Sequence, residues 1–253
     1  MTQIYRTTEL PVDPKVTILG LPIHNLTMNE TLDRIEEFIN AGNPHHVITA
    51  DSSMLVLAQK DAHLRVIIEN ADLVTPDSAG VLWAAGHLKQ PLKSQVPGVV
   101  IGEKLCERSA KSGFSLYFLG SAPGVALKAA QIMQLKYPGC NVCGTQDGYF
   151  STDDLDKIVQ NIAEAKPDVL LVAMGIPKQE KWIQAHRDRL GASVLIGVGG
   201  TLDVLSGTAK RAPRLIQKLK LEWLWRVLSN PSKISKVKLL PTFVRMVLYG
   251  KKV

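Results

Sequence analysis

Between residues 45 and 200 the chain repeats one pattern: a short apolar run, an abrupt polar or glycine stop, then a stretch with helical spacing. HHVITAD, DLVTPDSAG, FSLYFLG, CNVCGTQDGYF, DVLLVAMG and SVLIGVGG are the apolar runs. SSMLVLAQKDAHLRVIIENA, VIGEKLCERSAKSG, DDLDKIVQNIAEAK and KQEKWIQAHRDRLG are helical segments between them. Alternation of this kind predicts an α/β fold, a parallel sheet covered by helices on both faces. Upstream, KVTILGLPIHNL opens with a short strand, and NETLDRIEEFINAG predicts a helix capped by Asn29 and ended by Gly42.

The polar clusters fall where the strands stop: Thr49-Ala50-Asp51, Thr75-Pro76-Asp77-Ser78, Gly120 to Gly124, Gly175 to Gln179 and Gly199-Gly200-Thr201. Ligands of open parallel sheets bind outside the carboxyl ends of the strands, so these loops are expected to converge on one crevice. Gly120-Ser121-Ala122-Pro123-Gly124 reads either as a phosphate cradle at a helix start or as a tight turn needing glycine for geometry alone. It carries neither the Walker Lys-Ser/Thr nor the dinucleotide GxGxxG spelling. Asp77 reads either as a base for an acceptor hydroxyl or as the cap of the following helix, and Thr49 and Asp51 share that ambiguity. In LLVAMGIPKQEKW, Pro177 suits a helix start, Lys178 and Gln179 fall in the first turn, and Trp182 and Ile183 pack the helix on the sheet.

Other chemistries lack their spelling. No GxSxG or HExxH is present, and Asp154-Leu155-Asp156 lies at a helix start, where acids suit the helix dipole. His45 and His46 have no third ligand at metal spacing and read as surface or strand-edge residues. Cys140 and Cys143 form a CxxC without a second pair, as expected of ordinary thiols in a reducing compartment.

Charge divides the chain. Net charge is +7 over 253 residues, yet residues 204–253 hold 12 Lys and Arg against the single acid Glu222. Two domains are expected: an α/β body, 1–203, and a basic appendage, 204–253. In the appendage Leu215, Leu219, Trp223, Leu224 and Leu228 share a helical face. A second basic amphipathic helix, broken or kinked at Pro241, follows and carries Phe243 and Tyr249, while Trp225 joins the aromatic set. Such helices suit the headgroup layer of an anionic membrane better than nucleic acid, which is not expected as a partner. No signal peptide is apparent and no apolar run reaches the ~18 residues that span a bilayer. A cytoplasmic protein, peripheral on the inner face of the membrane, is expected.

The strings VITADSSML, ADLVTPDSAGV, FLGSAPGV, VAMGIPKQEKWI, IGVGGTLDVLSGTAKRAP and LEWLWRVLSNP, in this order, resemble the WecG/TagA/CpsF glycosyltransferases. The resemblance implies a Rossmann-like fold and inverting transfer of N-acetylmannosamine or a related hexose. The donor is a UDP-sugar and the acceptor a polyprenyl-diphosphate-linked sugar, in cell-envelope or exopolysaccharide synthesis. It implies no cofactor and no metal, an appendage that closes over the site, and in many members self-association into homo-oligomers. By position, Asp77 matches the general base, Thr49 an active-site threonine, Gln179 the glutamine of PKQE, and Arg226 an arginine reaching the diphosphate. Asp51, Gln95, Gly120, Ser121, Gly124, Lys178, Gly199, Gly200, Arg211, Lys233 and Lys236 complete the expected substrate-binding set. Four positions depart from the pattern: Gln95, Lys233 and Lys236 stand where arginine is usual, and Asp51 where asparagine is. Lysine supplies charge without the bidentate fork of arginine.

Overall fold

The computed structural model describes residues 13–210, 213 and 238–250. Arg211, Arg226, Lys233, Lys236, Trp223, Trp225 and the Leu215–Leu228 face lie outside the described residues.

The six expected strands form one parallel sheet: β3 (His45–Ala50), β4 (Leu73–Pro76), β5 (Ser115–Gly120), β6 (Asn141–Gln146), β7 (Val169–Ala173) and β8 (Val194–Gly197), in spatial order β4-β3-β8-β7-β5-β6. Before it, in place of the single short strand expected, comes an antiparallel hairpin, β1 (Lys15–Ile18) with β2 (Leu21–His24). Its two turn residues, Leu19 and Gly20, both have positive φ (51° and 76°), the turn whose twist matches paired strands.

The helices follow the expected periodicity, with three shifts that have local causes. Helix α1 (Met28–Ala41) is capped by Thr27, not Asn29. Thr27 Oγ1 accepts from Glu30 N while Glu30 Oε2 accepts from Thr27 N at 2.7 Å, a reciprocal box that Asn29 could not make. The long segment after β3 is two helices, α2 (Ser52–Leu57) and α3 (Ala62–Glu69), because Asp61 caps Leu64 N at 3.0 Å and starts a new helix. A helix not foreseen, α4 (Ala79–His87), follows β4 and precedes α5 (Gly98–Ser112). The remaining elements are α6 (Val125–Lys136), α7 (Leu155–Ala165), α8 (Lys178–His186) with a short 3-10 turn after it, α9 (Thr201–Leu205) and α10 (Leu239–Tyr249).

Each interior strand is buried on both faces, as a helix-covered parallel sheet requires. One face, with Val47, Leu73, Leu116, Phe118, Leu171 and Ile196, packs under α1, α5, α6 and α9. On the other face Ile48 and Val74 meet α2, α3, α4, α10 and the hairpin. Leu119, Leu170, Val172 and Leu195 meet α7 and α8 there, with Trp182 and Ile183 packed as expected.

Several expectations need correction. His45 and His46 are buried at the start of β3, which has neighbours on both sides, so neither is a surface or edge residue. His45 stacks on Phe38 with ring centroids 4.1 Å apart, and His46 N donates to Asp72 at 2.7 Å. Pro241 neither breaks nor kinks α10, because it lies in the first turn, where its missing N–H has no partner to lose. Phe243 is fully buried against the body and is unavailable to a headgroup layer, whereas Tyr249 is exposed. The CxxC pair is split: Cys140 is buried beside Cys106, while the exposed Cys143 donates its thiol to Leu116 O.

Candidate active site

Neighbouring strands β3 and β8 send their chains to opposite faces. From β3 the chain runs into α2, on the Ile48 face; from β8 it runs into α9, on the Val47 face. This divergence opens a crevice at their carboxyl ends, the switch point of an open α/β sheet. Thr49 bridges its floor, donating its buried hydroxyl to Gly197 O at 2.7 Å.

Asp77 stands one strand away, immediately after β4. The cap reading fails for the following helix. Ser78 holds the N-cap position of α4 and makes no side-chain cap bond, while Asp77 Oδ1 accepts from Gly98 N at 2.6 Å. Gly98 is the first residue of α5, so the carboxylate lies on the positive end of a different helix. The backbone around it is pinned: Asp77 N donates to Ala50 O, and Val96 N to Pro76 O. Gln95 Nε2 donates to Asp77 O at 2.7 Å. Gln95 thus holds the acid's main chain. Gly98 also abuts Thr49, since a β-carbon placed there would meet the Thr49 side chain at 3.2 Å. Acid and threonine therefore converge on one glycine.

Asp51 is turned to a structural task. Its Oδ1 accepts from Met54 N at 2.8 Å and Ser53 Oγ at 2.6 Å, capping α2. Gln179 is almost wholly buried, with its oxygen accepting from Gly175 N (3.1 Å) and Gly199 N (3.0 Å) and its nitrogen donating to Glu180 at 2.7 Å. The amide oxygen is thus taken by donors of two loops and turned inward. Lys178, by contrast, is exposed, with Nζ 5.8 Å from the centre of the Phe150 ring.

At the end of β5, Gly120 has φ 122°, and a β-carbon there would strike Ala173 O of β7, so only glycine allows the strands this approach. Ser121 N donates to Ala173 O at 2.8 Å and so points into the sheet, not at a ligand. The exposed part of the turn is Ala122 to Gly124, with Gly124 as the cap of α6 at φ 78°. Gly199 and Gly200 begin the β8–α9 turn on the other side of the crevice.

Comparison with known proteins decides the lineage. The model of the glycosyl transferase WecG/TagA/CpsF family matches residues 16–252. The chain belongs to that family. Its relatives include N-acetylglucosaminyldiphosphoundecaprenol N-acetyl-beta-D-mannosaminyltransferases of Staphylococcus aureus strains MW2, NCTC 8325 and MRSA252. Each is 31% identical over 240 residues, covering 94% of either chain. Membership makes this chain a glycosyltransferase, a hexose-transferring enzyme built on a Rossmann-like sheet.

Of the family-derived site, the structure gathers Thr49, Asp77 and Gln95 around Gly98, and Gln179 with Gly199 on the facing loops. Arg211, Arg226, Lys233 and Lys236 lie outside the described residues. Sequence reading missed Glu180, whose side chain is wholly buried against Gln179. The signal was available: an acid in the first turn of a helix whose neighbours Trp182 and Ile183 face the sheet. It also missed Gly98, whose two roles need tertiary contacts to be seen.

Proposed function

We propose that this glycosyltransferase moves N-acetylmannosamine or a closely related hexose from a UDP-sugar to a sugar carried on a polyprenyl diphosphate. The staphylococcal relatives' names specify an N-acetylmannosaminyl group and an N-acetylglucosaminyldiphosphoundecaprenol acceptor, which supports the reading of this chain's substrates. The observation that carries it is the Asp77 carboxylate at the switch-point crevice, held by Gly98 N–H and adjoining Thr49. In the proposed reaction Asp77 takes the proton of the acceptor hydroxyl as its oxygen bonds to the anomeric carbon. The carbon–oxygen bond to UDP breaks from the opposite face, and the electron pair leaves on the diphosphate, inverting the centre. Arg226, with Lys233, Lys236 and Arg211, is assigned to that departing charge. No metal is assigned to the reaction, since no Asp-x-Asp stands at a strand end of the sequence.

The proposed setting is the inner face of the cytoplasmic membrane. Among the described residues no helix is long and apolar enough to cross one. Trp83 and Leu88 on or beside α4, and Leu248 and Tyr249 on α10, are exposed, and the two helices meet where the Trp83 and Phe243 rings lie 6.4 Å apart. Lys89 and Arg245 add positive charge to these elements. This supports a peripheral contact shared by the body and the 204–253 appendage, which we assign to membrane attachment and site closure.

The test is a donor screen with a synthetic prenyl-diphosphate-linked N-acetylglucosamine in the presence of EDTA. Turnover with UDP-N-acetylmannosamine, and a β-linked product, is the expected result. Preference for UDP-glucose or a UDP-uronate would replace the donor, and loss of turnover in EDTA would replace the metal-free mechanism.

A further inference from the structure

We propose that Glu180 is a positioning residue of the transfer site, fixing the Gln179 amide so that it locks together the two loops facing Asp77. The inference rests on the transferase reading above and deepens it.

The amide has one orientation consistent with its surroundings. Gly175 N and Gly199 N are backbone donors, so the atom receiving both must be the carbonyl oxygen, Oε1. The nitrogen then points at Glu180, whose Oε1 accepts it at 2.7 Å. A carboxyl oxygen is a suitable acceptor there, and an aliphatic side chain would leave a buried N–H unsatisfied. Both side chains are shut from solvent, Gln179 at 1% and Glu180 at 0% exposure.

What the amide joins gives the pair its significance. Gly175 belongs to the β7–α8 loop and Gly199 to the β8–α9 loop, and both have left-handed backbones, with φ 79° and 55°. Gln179 thus ties the adjacent loops through their main chains. Under the pair lies Gly197. A β-carbon on it would stand 2.6 Å from Gln179 Nε2 and 2.8 Å from Glu180 Oε1, so the bare glycine gives the pair its room. The carbonyl of the same residue receives the Thr49 hydroxyl. Any shift of the pair therefore bears on one backbone residue away from Thr49. Gln179 and Glu180 act as an internal brace behind the crevice, not as groups that touch the sugar.

An exchange of the two side chains tests this, because Gln and Glu are nearly the same size. Gln179→Glu keeps an acceptor for both loops but removes the donor and sets two carboxyl groups together. Its kcat is expected to fall roughly tenfold to a hundredfold, the scale of a misplaced catalytic geometry. Adding Glu180→Gln restores the missing N–H, now donated from position 180 to position 179. The double variant is expected to recover most of the lost kcat, with native amide proton shifts at Gly175 and Gly199. Glu180→Leu is expected to lower kcat and to move both glycine signals. A double variant as inactive as Gln179→Glu, with native glycine signals, would show that Gln179 acts by direct contact and overturn the proposal. Unchanged kcat and unchanged glycine signals in Glu180→Leu would also overturn it. If the wild-type protein transfers none of the sugars tested, the substrate reading fails separately, and the glycine signals of the same variants still decide whether the brace exists.

Discussion

Asp77 and Gly98 are joined by a 2.6 Å hydrogen bond from the glycine N–H to the carboxylate, across a separation of 21 residues. The bond closes the loop from β4 to α5 over the strand end and presents the acid at the crevice. An N–H at the start of α5 thus fixes the orientation of the carboxylate. The same glycine lies against Thr49, which links the acid to the β3–β8 junction. Positioning here is achieved largely by backbone groups, which have few ways to move.

Replacing Asp77 by Asn separates its chemical role from its structural one. The Asn carbonyl can still accept from Gly98 N, so the loop is expected to stay closed and the melting temperature near wild type. The base is lost, and kcat should fall by roughly 10²–10⁴-fold. Steady-state kinetics with a circular-dichroism melt check both halves. A variant that retains full turnover removes Asp77 from the chemistry.

Gly98→Ala adds a methyl group that meets Thr49 at 3.2 Å. Thr49 is buried and bonded to Gly197 O, so it has little freedom to retreat. A destabilisation of about 1–3 kcal/mol is expected, as for other overpacked interiors, accompanied by reduced kcat. Gly120→Ala makes the contrasting case, because its methyl group would overlap backbone atoms of β7. That variant should lose more stability than Gly98→Ala in urea unfolding, and the reverse order would contradict the packing described here.

The sheet was legible because each interior strand is buried on both faces and so reads as a continuous apolar run bounded by a polar stop. HHVITAD and DVLLVAMG needed no tertiary knowledge. The hairpin was hidden because its turn is Leu19-Gly20, without the usual Asn-Gly spelling. Helix α4 was hidden because AGVLWAAGH is apolar nearly all round, and a surface helix normally betrays itself by having a polar side. In the site, Thr49, Asp77 and Gln179 stand out by their positions in the sequence, but the inward turn of the Gln179 amide does not. Sequence does not say whether a polar side chain in a first turn faces ligand or backbone. Here Gly175 and Gly199, 4 residues before it and 20 after, supply the donors that turn it inward.

The exposed apolar residues of α4 and α10 predict a lipid contact that does not depend on the appendage alone. Trp83→Ser with Leu248→Ser should lower the fraction bound to vesicles of anionic phospholipid several-fold, while leaving the body folded. Vesicle flotation at low and high salt measures this, since a basic rim adds a salt-dependent part. Binding that the double substitution leaves untouched would remove α4 and α10 from the contact.

Acid should weaken the fold before most carboxylates titrate, because two buried histidines resist protonation. Burial, assisted by the nearby Lys15 and Arg34, lowers His24 to about 4. Burial, with the charge of Arg187, lowers His46 to about 3. Unfolded histidine takes up its proton near pH 6.5. Between that value and about 4, the unfolded chain therefore binds more protons than the folded one, and stability rises with pH. The stabilising effect of keeping these rings neutral is complete above the unfolded value and is lost as pH falls toward the folded ones. Each group contributes a slope of up to about 1.4 kcal/mol per pH unit within its window. Urea unfolding at pH 7.5, 6 and 5 should show the midpoint falling, and His46→Gln should flatten that fall whatever it does to stability at pH 7.5. An equal pH dependence in His46→Gln and wild type would mean that His46 is not protonated on unfolding across this range.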